Sequence, residues 1–154
     1  MRTATKIAAV VLVGVAVSVG GYLVLMPNDQ PPRRADPANL NQVTAGADIY
    51  GEHCASCHGL TLAGEADWRR PRSDGSFPAP PHDESGHTWH HPDAQLFEIT
   101  KLGGKPYNPR STMPAFSGVL SDEEIWSVLA YIKSRWPDSV RERQRAVTVA
   151  SEER

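Results

Sequence analysis

Residues 54–58 read Cys54-Ala55-Ser56-Cys57-His58, and they hold both cysteines of the 154-residue chain. This C-x-x-C-H spacing narrows the chemistry. A redox-active C-x-x-C pair wants a βαβ setting, and no strand run stands out anywhere in the chain. Two cysteines are too few for a four-thiolate zinc site or a disulfide-rich scaffold. The remaining reading is the attachment signature of a c-type haem. Two thiols three residues apart at a helix end add to the two vinyl groups of one haem. The adjacent His58 then lies under the iron and offers an imidazole nitrogen.

A second axial ligand is found by elimination. Beyond the N-terminal segment the chain has one methionine, Met113, in Ser111-Thr112-Met113-Pro114-Ala115-Phe116. A lone methionine is often core filler, but filler sits more often on a helix face than before a proline in a polar loop. Histidine–methionine ligation raises the reduction potential and suits electron transfer. The competing ligands are His82, His87, His90 and His91.

Three helices are expected around these residues. The first covers about 43–55 and ends in the cysteine motif. The second covers about 94–102, with Asp93 as N-cap and Gly103-Gly104 as the stop. The third covers about 122–135. Ser121 and Glu124 form a capping box there, and Ile125, Val128, Leu129 and Ile132 recur at helical spacing. Nearly 40 residues separate the first two helices, with Pro71, Pro78, Pro80, Pro81 and Pro92 among them. A loop this long in a small domain is usually functional or disordered, and packing against a large cofactor would explain it.

The flanks read differently. Residues 7–26 carry no charge and follow Arg2 and Lys6. A helix of that length spans about 30 Å, the thickness of a bilayer's hydrocarbon core. The expected reading of 1–26 is a signal anchor or transmembrane helix. Ala16 and Ser18 suit a signal-peptidase site, so a cleaved peptide is the alternative. Residues 27–42 hold four prolines and read as an extended linker. The folded domain is then 43–136, with 12 acidic and 8 basic residues, and 137–154 reads as a charged, solvated and partly helical tail. Arg2 and Lys6 are balanced by Arg33 and Arg34, so charge leaves the orientation open. Haem c attachment outside the bacterial cytoplasm places the domain on the periplasmic side of the inner membrane.

With the motif, Met113 and the order of helices in hand, the chain resembles a class I c-type cytochrome of the membrane-anchored, single-haem bacterial kind over about 43–136. The resemblance implies an all-α fold. It is a small cytochrome c fold of about three main helices, with long loops wrapped on one covalent haem and a transmembrane helix in front. It also implies that a glycine and an aromatic four residues on cross the last helix. Gly46 and Tyr50 match, with Trp126, Leu129 and Tyr131 available opposite. A proline after the attachment site would accept a hydrogen bond from the ligand imidazole, and Pro80 is the residue placed for it. Met113-Pro114 matches as well.

The loop 61–92 is longer and richer in histidine than the minimal pattern. Trp68, Arg69 and Arg70 suit the haem propionates, since guanidinium and indole N–H pair with carboxylates; a solvated basic loop is the plain alternative. His82, His87, His90 and His91 are expected to be loop structure, with a second metal site for an imidazole-favouring ion as the sharper reading.

The balance of 16 basic and 18 acidic side chains argues against a nucleic-acid partner. The expected function is a membrane-tethered carrier of single electrons between respiratory-chain proteins, and not an enzyme. The alternatives are a haem subunit of an oxidoreductase acting on a small substrate such as peroxide or nitrite, and a metal-handling protein using the histidine loop.

Overall fold

The structure, a computed structural model, describes residues 34–154; the expected membrane-spanning segment 7–26 lies outside them. Five helices follow in order: α1 (Leu40–His53), α2 (Ala55–His58), α3 (Asp93–Leu102), α4 (Asp122–Ser134) and α5 (Asp138–Glu152). A 3₁₀ turn, Thr88–His90, precedes α3. The described residues contain no strand, only the isolated bridge Ser117–Leu120. None of their helices is long and apolar enough to cross a membrane. This all-α arrangement is consistent with a cytochrome c fold.

The frame is the crossing of α1 over α4. Gly46 makes it possible, because a Cβ there would lie 1.9 Å from the Ser127 carbonyl oxygen. One turn on, the rings of Tyr50 and Tyr131 sit 5.3 Å apart. Tyr50 is 1% exposed and donates its hydroxyl to the Gly59 carbonyl at 3.0 Å, tying α1 to the end of the cysteine motif. Leu129 joins the core, but the ring partner of Trp126 is Phe97 of α3, stacked at 4.5 Å.

The capping box at the start of α4 is complete. The Ser121 hydroxyl accepts from the Glu124 N–H, and the Glu124 carboxylate accepts from the Ser121 N–H at 2.7 Å. Ile125, Val128, Leu129 and Ile132 are all buried beneath it. They divide between two apolar clusters: one with Leu96, Phe116 and Leu120, the other with Tyr50, Leu62 and Trp136.

The structure differs from expectation at both flanks. Helix α1 begins at Leu40, capped by the Asn39 side chain, and the chain before it is packed as well. Ala35 is buried, and buried Gln42 accepts from the Asp36 N–H and donates to the Arg34 carbonyl. The linker's end is therefore part of the domain. The stretch 137–154 is not a solvated tail but mostly α5, which packs on the 3₁₀ turn.

The reason is a polar, buried network. Lys133 reaches both Asp93 carboxylate oxygens at 2.9 and 2.8 Å. Gln144 of α5 donates to the same carboxylate at 2.6 Å and to the His91 carbonyl at 3.2 Å. Thr148 accepts from the Asp93 N–H at 3.1 Å. Asp93 is thus the first residue of α3 rather than its cap, and the N-cap is Pro92.

Candidate haem site

The cysteine motif forms a break and a single turn. Cys54 ends α1, and α2 is Ala55–His58 with Gly59 closing it. Cys54 is partly buried and Cys57 exposed, and they are not joined in a disulfide. Burial, and then the neighbouring Cys57, push the Cys54 thiol up to about 11. A redox-active C-x-x-C needs the opposite, a thiol with a lowered pKa. The thioredoxin-like reading fails on fold, because the described residues contain no strand.

Both cysteines and His58 line a cavity of about 690 Å³, within the ~300–1,000 Å³ typical of cofactor sites. Its walls are largely apolar, with Leu96, Ile99, Phe116, Val128, Leu129 and Ile132 among them. His58 is 7% exposed, and its Nδ1 lies 2.9 Å from the Pro80 carbonyl oxygen. A carbonyl only accepts, so Nδ1 carries the proton and Nε2 keeps its lone pair for a metal. Burial lowers the His58 pKa; the Pro80 hydrogen bond and Glu65 partly oppose it. The neutral, ligating form is favoured.

The carbonyl of Pro80 is itself held in place. A Cβ on Gly64, whose φ is +67°, would lie 2.5 Å from the Pro81 nitrogen, so the two loop segments run in backbone contact. Glu65 accepts from the Ala79 N–H at 2.6 Å and from Arg72 at 2.7 Å. The Ala79 bond leads the effects that lower its pKa.

Met113 lines the same cavity from the loop after α3. Its N–H is bonded to the Ser111 hydroxyl at 3.2 Å, and its carbonyl accepts from the Gly104 N–H at 3.1 Å. The thioether is thus carried on a braced loop.

Of the three residues offered for the propionates, Trp68 and Arg69 line the cavity, with the Arg69 guanidinium 4.0 Å from the Trp68 ring centroid. Arg70 does not; it lines a separate surface hollow with Glu65, Asp67 and Pro71. Arg72 lines both, already paired with Glu65. Tyr107, Asn108 and Ser111 also reach the cavity wall, which the sequence reading missed. The signal was faint: only a Gly/Pro-rich approach to Met113.

The histidine loop does not gather into a second metal site. His87 stacks on Trp68 at 5.5 Å, and His90 on Trp89 at 3.7 Å. His91 Nδ1 meets Gln95 at 3.2 Å. His82 lies flat on His58, with ring centroids 4.0 Å apart. Burial, and then His58, push its pKa well down. Among the described residues no three His, Cys, Asp or Glu side chains converge as a metal site. The His87 ring also meets His91 edge-on, with centroids 5.4 Å apart.

These features fit a covalent haem c: an apolar cavity opening on two thiols, with a buried imidazole braced from behind. They define a cytochrome c domain, whose chemistry is haem-based electron transfer. A family model described as cytochrome C oxidase, cbb3-type, subunit III matches residues 41–132, and the chain belongs to this family. Comparison with curated proteins and with solved structures gives no match.

Proposed function

We propose that the protein is a membrane-tethered, single-haem electron carrier of a bacterial respiratory chain, with its haem domain on the periplasmic side. The observation that carries this reading is that one cavity is lined by both His58 and Met113. Bound there, the haem supplies one-electron exchange between ferric and ferrous iron. Cys54 and Cys57 would hold it covalently, Pro80 fixes the proton on His58 Nδ1 so that Nε2 is free to ligate, and Met113 would supply a thioether ligand. Trp68 and Arg69 suit the propionates. Iron held by both His58 and Met113 would leave no site for a substrate, and the chain would then set potential and docking rather than transform a small molecule.

The expected anchor 7–26 would keep the carrier beside its partners and raise their effective concentration. The donor would be a quinol-oxidising complex or a dehydrogenase, and the acceptor a terminal oxidase or reductase. The family description favours a second reading, a standing subunit of an oxidase complex. Mild-detergent purification separates the two: a carrier comes away alone, and a subunit co-purifies with oxidase haems.

Two outcomes are expected. Met113→Ala retains the haem, loses the sulfur–iron band near the red edge of the visible spectrum and lowers the potential. The fall is roughly 100 mV or more, a fraction of the ~0.8 V that axial ligands span. An unchanged spectrum and potential would give the sixth position to another side chain. In the second test, high salt leaves the full chain on membranes and detergent releases it, because salt screens surface charge but does not extract an inserted apolar helix. Release by salt alone would refute the anchor.

A further inference from the structure

The Pro80 hydrogen bond restrains the His58 ring but does not by itself fix its plane. A hydrogen bond keeps most of its strength over about 30° of bend, so the ring could still rock about the axis from Nε2 to the metal. That axis lies in the ring plane. Rocking about it drives one edge of the imidazole towards whatever lies against its face. In this structure that neighbour is His82, with ring centroids 4.0 Å apart and planes inclined by 25°.

His82 is itself immobilised. Its N–H donates to the Leu62 carbonyl at 2.7 Å, and its carbonyl accepts from the Trp136 indole at 2.6 Å. Its Nδ1 lies 2.9 Å from the Thr88 hydroxyl oxygen, which lies 3.4 Å from the Pro81 carbonyl oxygen. His82 Nδ1 and the Thr88 hydroxyl can hydrogen-bond in either tautomer of the ring. Trp136 and Thr88 are buried, and Tyr50 stands edge-on to the His82 ring at 6.5 Å. Both the backbone and the far edge of the ring are pinned, so the face presented to His58 cannot turn away.

We infer that His82 is a positioning residue for the haem: its anchored ring, stacked on His58, fixes the rotation of the ligand imidazole about its bond to iron. This rests on the reading of His58 as the axial ligand. A role in packing alone would need only volume at this position. A positioning role needs a planar face and an edge anchor, and both are present.

The test is proton NMR of the ferric holoprotein, in which the paramagnetic shifts of the haem methyl groups report the direction of the axial ligand plane. His82→Ala is expected to keep the haem and the low-spin spectrum while changing the order or spread of the methyl resonances. His82→Phe retains the planar face but loses the bond to Thr88, and is expected to shift the pattern less than His82→Ala and about as far as Thr88→Val. Thr88→Val removes the edge anchor and is expected to move the pattern part of the way. A wild-type methyl pattern in His82→Ala, with only a lower melting temperature, would overturn the inference. If His82→Ala does not accumulate with haem, Thr88→Val and His82→Phe decide. An unchanged pattern in Thr88→Val, or an Ala-like shift in His82→Phe, would overturn it equally. Failure of the underlying assignment looks different: the wild-type ferric protein would then be high-spin before any substitution is made.

Discussion

Replacing Cys54 and Cys57 together by alanine is expected to abolish covalent haem completely. On a denaturing gel the wild-type band should keep peroxidase-active haem and the double variant none. No other cysteine exists to take over either bond. The single variants grade the effect. Cys54 is partly buried at the end of α1, whereas Cys57 is exposed on α2, so each alone leaves one thioether and a weaker stain. The loss should reach the fold as well. A largely apolar cavity of about 690 Å³, walled by residues from both core clusters, cannot stay open to water at no cost. At roughly 25 cal/mol per Å² of apolar surface, exposing even a modest part of that wall costs several kcal/mol. Haem that extracts from the wild type into acid organic solvent would overturn the covalent reading.

What the sequence made legible is what local physics dictates. The C-x-x-C-H turn, the capping box of α4 and its apolar face each depend on residues within one or two turns, and each is present in the structure. Gly46 was legible only through resemblance, because its need arises from Ser127, 81 residues away in the chain. The packing of α5 on the domain escaped for a different reason. Its inward residues are Gln144 and Thr148, both polar and both buried. A reading that sorts residues into apolar-inside and polar-outside assigns such a helix to solvent. The histidine loop was expected to be loop structure, but the partner of each ring was not legible, because partners such as His58, Trp68 and Gln95 are set by tertiary structure or a helix turn.

That polar docking makes Asp93 a position of high leverage. Its carboxylate receives Lys133 and Gln144, and its N–H is bonded to Thr148, so one residue joins α3, α4 and α5. The Lys133 and Asp93 side chains are only 10% and 6% exposed. Removing one partner of such a pair leaves a buried charge without compensation, which costs about 3–5 kcal/mol, whereas replacing both by apolar groups is often nearly neutral. Asp93→Ala is therefore expected to lower the unfolding free energy of the holoprotein by about that amount, as read from the denaturant midpoint at unchanged m-value. Lys133→Met alone should also destabilise, since the Asp93 carboxylate then keeps only Gln144. Asp93→Ala combined with Lys133→Met should recover most of the loss. The haem absorption should stay native in all three variants, because neither residue lines the haem cavity. A double variant as unstable as the sum of the single ones would show that Asp93 matters for the α5 hydrogen bonds alone. A cost below about 1 kcal/mol for Asp93→Ala is the range of an exposed pair, and it would mean that α5 does not close over the network in solution.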